Sequence, residues 1–168
     1  MNATSFIKVG VALSLLAGAV VCYFKLSPTS EAGGENAYFY DVEQQQLFVA
    51  PRGSIPPITG MKGGKSAGVR AIVISPTGDP GDKKHRQIAY LEKYSPEIKQ
   101  LFEEVRQARA EGRSDEGRID RSQVPPNTWV RRWHETEWHA LSSNEGKQIA
   151  SEWNVPGPDG RIPVVCSP

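Results

Sequence analysis

The residues of this sequence that could do chemistry are concentrated between positions 129 and 139. His134, Glu137 and His139 are potential metal ligands, and the glutamate could also serve as a general base. The zinc-peptidase motif places two histidines four residues apart on one helix face, whereas five residues separate these two, or about 140° on a helix. A hairpin turn would still allow the three side chains to meet, and a zinc site needs three or four ligands. A metal-binding protein or metal-dependent hydrolase is therefore one hypothesis, and an exposed turn histidine beside a half-buried one is the other.

Tryptophan is the second distinctive feature of this region. Trp129, Trp133 and Trp138 fall within one short segment. Side chains alternate along a strand, so Trp129 and Trp133 would share one face of a hairpin. Such side chains mark contact surfaces as well as cores. We predict these three tryptophans as candidates for an interaction surface, with core packing as the alternative.

No complete catalytic or nucleotide-binding constellation accompanies these residues. The segment 59–66 ends in Gly-Lys-Ser, but Thr59 stands where the phosphate-binding loop requires glycine. Cys166 has no activating residue beside it in sequence. The formal net charge is +1 and acids and bases are interleaved, which argues against a nucleic-acid surface. We predict a non-enzymatic protein with no cofactor, nucleotide or nucleic-acid ligand.

An α+β domain with a largely antiparallel sheet is predicted to position these side chains. Aromatic and β-branched residues on both sides of a short polar loop predict a first hairpin over 37–42 and 47–50. The run 68–75 is rich enough in β-branched residues to be a central strand. A second hairpin is predicted over 129–140, and 162–166 is predicted as an edge strand.

About three helices complete the predicted domain. Residues 83–94 are predicted to be helical, because apolar side chains recur there at helical spacing. Ser95 as N-cap and Pro96 at the first helical position start the next helix, which ends by residue 112. Ser142 and Glu145 form a capping-box pattern that predicts a short third helix.

The apolar segment 6–26 decides the expected compartment. It carries no charge between residues 9 and 24, and as a helix it would span about 30 Å, the thickness of a bilayer core. We predict a signal-anchor in 1–26, a tether in 27–36 and an extracytoplasmic domain in 37–168, held in a bacterial inner membrane. Ala17-Gly18-Ala19 leaves a cleaved secretory signal as the alternative, and cleavage there would let Cys22 and Cys166 pair.

Several short motifs of the domain resemble those of a known group of proteins. They are Tyr38-Phe39-Tyr40-Asp41, Leu47-Phe48-Val49-Ala50-Pro51, Ile55-Pro56-Pro57, Gly68-Val69-Arg70-Ala71, Ile88-Ala89-Tyr90-Leu91-Glu92-Lys93-Tyr94 and Val130-Arg131-Arg132. Together they resemble an uncharacterised family of small single-pass membrane-anchored envelope proteins of planctomycete-type bacteria. The resemblance implies this fold and localisation and brings no activity. Several of those proteins carry cysteines after the central strand, where this chain has Ser75-Pro76-Thr77, so no thiol chemistry follows.

These observations predict an interaction or structural subunit of an envelope complex. Residues 6–26 would hold it in the lipid bilayer, and the domain would contact a protein partner. A pseudopilin-like assembly subunit is the structural variant, weakened because Pro28 and Gly33-Gly34 interrupt the continuous helix that such subunits use. A dimer linked through the Cys166 thiol is a further alternative.

Overall fold

The computed structural model describes residues 35–114 and 119–168. The predicted anchor and the tether up to residue 34 lie outside these ranges. Within them, we find no helix with the length and apolar character of a membrane span.

Seven strands form one antiparallel sheet with the spatial order β2-β1-β3-β4-β5-β6, and β7 pairs with β3. The strands are β1 Asn36–Asp41, β2 Gln46–Pro51, β3 Gly68–Ser75, β4 Gln87–Tyr94, β5 Thr128–Arg131, β6 His139–Ala140 and β7 Val164–Val165. The helices are α1 Pro96–Ala110, α2 Val124–Asn127 and α3 Asn144–Ser151, with 3₁₀ turns at Lys83–His85 and Arg121–Gln123. The prediction of a small α+β domain with a largely antiparallel sheet is confirmed.

The first hairpin, β1–β2, is confirmed and closes through the side chain of Asp41. Asp41 is 1% exposed, and its Oδ1 accepts hydrogen bonds from the backbone N–H groups of Glu43 and Gln44. Its Oδ2 accepts a third, 2.6 Å long, from the N–H of Met61. Hydrogen bonds from the backbone, that of Gln44 foremost, lower the pKa of Asp41 against the opposing effect of burial. One carboxylate therefore fixes both the turn and the loop around residue 61.

The central strand is confirmed, but the helix predicted over 83–94 is wrong. β3 pairs with β1 on one edge and with β4 on the other. Only a 3₁₀ turn at Lys83–His85 precedes β4, which runs between β3 and β5. Most side chains of β4 are partly buried on both faces, so the strand lacks polar alternation, and the spacing of Ile88, Leu91 and Tyr94 imitates a helix.

The helix predicted to start at Ser95 is confirmed. The Ser95 hydroxyl accepts a hydrogen bond from the N–H of Ile98, and α1 runs to Ala110. The predicted cap of the short helix is one residue too early, because Ser143 and not Ser142 accepts from the N–H of Gly146. Glu145 is therefore free of the capping role and bonds to Arg132 instead.

The second hairpin is confirmed with shorter strands, and so is a short strand within 162–166. In β5–β6, Trp129 pairs with Ala140 and Val130 with His139, while Trp133 lies beyond the strand. After β7, the Cys166 N–H donates to the Val73 carbonyl, and the thiol is buried. Burial of this thiol opposes an intermolecular disulfide.

Near β5, the two faces of the sheet pack against different groups of residues. Side chains directly opposite each other on paired strands point to the same face, so Leu91 shares a face with Arg131 and Lys93 with Trp129. We call this the Arg131 face; it carries a buried cluster of Tyr40, Val69, Ala71, Val73, Leu91 and Cys166. Side chains that alternate with these point to the helix face, where Tyr94 packs on Phe102 of α1 and Arg132 bonds to α3.

Candidate functional site

A groove of about 670 Å³ opens where β4, β5 and the start of α1 meet. Its apolar walls are formed by Pro57, Pro96, Trp129 and Trp138, and Lys93 also lines it. We call it the tryptophan groove. The register of β4 and β5 sets Lys93 directly beside Trp129, whose side chain remains 37% exposed. The local strand pairing thus builds a concave surface with aromatic walls and a lysine between them.

Two cations lie against the ring of Trp138. The Lys93 Nζ is 4.3 Å from the centre of the ring, and the Arg131 Cζ is 5.0 Å from it. In the part of the chain that the structure describes, neither cation has a carboxylate within 4.0 Å. Burial, and then the nearby Arg131, lower the pKa of Lys93. This end of the sheet therefore carries positive charge that no described acid neutralises.

The other charged groups of the groove already have partners. The Lys99 Nζ donates to the Pro57 carbonyl and lies 3.7 Å from Glu103. Hydrogen bonds from its own backbone N–H and from the Ser95 hydroxyl lower the pKa of Glu97 in the first turn of α1. Lys93 is the groove cation that has no hydrogen-bond or ion-pair partner among the described residues.

The predicted metal ligands lie in the turn between β5 and β6 and in β6 itself. His134 is exposed in the turn after β5, its ring touches Trp133 edge-on, and its Nε2 is 3.9 Å from Glu135. His139 lies in β6, where it pairs with Val130. Among residues 35–114 and 119–168, no group of three His, Cys, Asp or Glu side chains is placed to hold a metal ion.

Of the three predicted tryptophans, the structure brings two into one site. Trp129 and Trp138 line the tryptophan groove, while Trp133 borders a separate recess with His134 and Glu135. Trp138 also packs against the buried cluster of the Arg131 face. It is thus a core residue and a groove residue at once.

Sequence reasoning missed Lys93 and Arg131 as site residues. Lys93 fell inside the wrongly predicted helix, which hid its position opposite Trp129. Strand alternation from Trp129 places Arg131 on the tryptophan-bearing face, and that signal was available in the sequence.

No protein-family model, curated protein or solved structure matches this chain. The chemistry of the site is therefore inferred from its own geometry, in which aromatic walls surround an uncompensated lysine.

Proposed function

We propose that this chain is a membrane-anchored envelope subunit whose extracytoplasmic domain binds an extended, acidic segment of a partner protein. The segment would lie in the tryptophan groove. The observation that carries this proposal is the open groove walled by Trp129 and Trp138, with Lys93 between them and no carboxylate paired to it in the described residues. The protein acts by recognition and catalyses no reaction.

The aromatic walls support an extended peptide as the ligand. Extended and polyproline segments dock on grooves lined by aromatic side chains, because they keep their backbone partly solvated and offer alternate side chains to the wall. Tryptophan is also the residue type that most often dominates binding energy, at about 2 kcal/mol or more for each well-packed anchor. Trp129 is accessible enough to gain contact area, whereas Trp138 is held in place by the core beneath it.

The uncompensated cations support an acidic ligand. Lys93 is partly desolvated by the groove and repelled by Arg131, so it gains when a carboxylate arrives. Lys99 and Glu97 contribute less, since both already bond to neighbouring groups. A neutral or basic segment would fit the same walls without this gain, and the charge therefore selects among partners.

The membrane anchor is supported by the sequence. The uncharged run between residues 9 and 24 is long enough for a bilayer span when its apolar neighbours are included. The resemblance to small envelope proteins of planctomycete-type bacteria agrees with this placement. An anchored domain meets only partners close to the membrane surface, which raises their effective concentration.

Site-specific photo-crosslinking of the full chain in native membranes tests this proposal. A photoreactive phenylalanine analogue replaces Trp129, and the crosslinked protein and peptide are identified by mass spectrometry. We expect one partner protein, crosslinked through a segment that contains acidic residues. The Lys93→Glu change in the same background should reduce the product severalfold, because it replaces attraction by repulsion.

The matched control carries the same photoreactive residue at Ile162. This side chain is exposed, and it precedes β7, which pairs with β3 and not with β5. Labelling of the same protein from both positions would show that the groove is not selective. Recovery of an uncrosslinked chain from membranes at position 129 would overturn the proposal.

A further inference from the structure

A second recess, with a volume of about 330 Å³, lies on the Arg131 face between the first hairpin and the β5–β6 turn. We call it the Arg131 pocket; it is lined by Tyr40, Val42, Arg131, Trp133, His134 and Glu135, among others. Its volume is at the lower end of the range of about 300–1,000 Å³ that is usual for small-molecule sites. Arg131 contacts Trp138, so this pocket and the tryptophan groove adjoin through one pair of side chains.

Arg131 is buried without a charged partner. The residue is 8% exposed, and the ordinary place for such an arginine is beside a carboxylate. Among the described residues its guanidinium makes one hydrogen bond, from Nη1 to the backbone carbonyl of Glu135. Its Nε is buried and has no hydrogen-bond acceptor there. Burial also lowers the pKa of this arginine, which agrees with an environment poor in counter-charge.

The carboxylate that lines the pocket belongs to Glu135, and it bonds to Arg132, the residue after Arg131. The Glu135 carboxylate lies 3.3 Å from Nη1 of Arg132, while only its backbone carbonyl reaches Arg131. The pocket thus contains a cation whose only lining carboxylate already serves another arginine. A guanidinium offers five N–H donors in a fork that matches the two oxygens of a carboxylate.

We propose that the Arg131 pocket binds the carboxylate of a small ligand whose body is aromatic or apolar. Arg131 would hold the carboxylate, and Tyr40, Val42 and Trp133 would contact the body. This chemistry is shared by free organic acids and by the C-terminal residue of a peptide. The inference concerns a different recess from the proposed protein-binding groove and does not depend on what that groove binds.

Binding of defined probes to the purified full chain tests the proposal. Ligand-observed NMR titrations compare benzoate with benzamide, which has the same shape without the charge. The acetylated dipeptide Ala-Phe is compared in the same way with its C-terminal amide. We expect each acid to bind about tenfold or more tightly than its amide, because a charge-assisted bond is lost in the neutral compound. The acid that binds more tightly identifies the source of the carboxylate.

Variants assign the effect to Arg131. Arg131→Met should abolish the preference for acid over amide, and Arg131→Lys should retain part of it, since lysine keeps the charge but loses the fork. Arg161→Gln, which removes an exposed arginine, is the matched control and should bind benzoate as the unmodified chain does. Equal affinities for benzoate and benzamide in the unmodified chain would overturn the proposal even if Arg131→Met failed to fold. Competition by phosphate at the same concentration as benzoate would overturn the assignment to carboxylates.

Discussion

Arg131 and Arg132 are neighbours in sequence and opposites in environment. Arg132 lies on the helix face and bonds to Glu152 through two nitrogens, at 2.7 and 2.8 Å, and to Glu145 at 2.9 Å. Arg131 lies on the Arg131 face, nearly buried, and its hydrogen bond goes to a carbonyl. Arg132 thus has three carboxylates within ion-pair distance, whereas Arg131 has none among the described residues. Arg131 is the last residue of β5, and Arg132 is the first residue after it.

The difference separates an arginine whose charge the fold favours from one whose charge it disfavours. The hydrogen bonds that Arg132 donates to Glu152, and then to Glu145, raise the pKa of Arg132, so its charge is favoured by the folded state. Burial lowers the pKa of Arg131, so its charge is disfavoured there. A group that folding does not favour is typical of functional positions.

Asp41 shows how this fold treats a buried charge that serves structure. Among the described residues, Asp41 has no cation within ion-pair distance, just as Arg131 has no carboxylate within that distance. Its oxygens nevertheless accept three backbone hydrogen bonds, from Glu43, Gln44 and Met61. Burial of a charged group without a counter-ion is therefore tolerable when hydrogen bonds to its polar atoms replace its lost hydration. Arg131 lacks such compensation.

The largest effect is expected for Asp41→Asn, which we predict to lower the Tm by several degrees at neutral pH. The amide NH₂ cannot accept the N–H of Met61 or of the hairpin turn, so at least one donor loses its partner. Because folding lowers the pKa of Asp41, the stabilisation is present above the ordinary value of 3.8 and is lost as the pH falls through the folded value. Thermal unfolding of both proteins should therefore converge in strong acid. A constant difference at all pH values would contradict the role of the charge.

A smaller loss, of a few degrees in Tm, is expected for Arg132→Gln. The change leaves Glu135, Glu145 and Glu152 facing one another without their cation. The loss should shrink at 1 M salt, where the Debye length is about 3 Å. Thermal unfolding at low and high salt measures it, with Arg161→Gln as the control for an exposed pair that contributes little. Equal losses of Tm in Arg132→Gln and Arg161→Gln would show that Arg132 contributes no more than an exposed ion pair. The contrast between Arg131 and Arg132 would then disappear.

The smallest effect on stability, and of opposite sign, is expected for Arg131→Met. Methionine fills a similar volume and needs no counter-charge, so the free energy of unfolding should stay the same or rise by about 1 kcal/mol. Urea denaturation measures the change. A marked loss of stability would mean that the contact with Trp138 stabilises the fold, and Arg131 would then resemble Arg132 after all.

Much of the fold could be predicted from local signals. Runs of β-branched and aromatic residues predict the first hairpin and β3, and capping residues predict the helix start at Ser95-Pro96. Both signals act within a few positions of the chain. β4 could not be predicted, because most of its side chains on both faces are partly buried, so the sequence lacks the alternation that distinguishes a strand. The cap predicted at Ser142 is one residue too early, because Ser143 beside it is equally suited to cap the helix.

The site was predictable only in part, for the same reason. Tryptophans are conspicuous in any sequence, and two of the three indeed share a groove. Which two depends on the register of β4, β5 and β6, which no local pattern fixes. The unpaired state of Arg131 depends on Glu135 turning toward Arg132, a choice made by packing in three dimensions.

The pairing of β7 with β3 closes a long loop of the chain. Ile74 and Val165 lie 91 residues apart, whereas Leu91 and Arg131, which pair in β4 and β5, lie 40 residues apart. Closing the longer loop costs more chain entropy, so we expect β7 to dock onto β3 after β4 and β5 have paired. A ladder of two residue pairs is also expected to open readily at equilibrium. We therefore expect local opening of β7 to make the Cys166 thiol accessible, although it lies among core side chains.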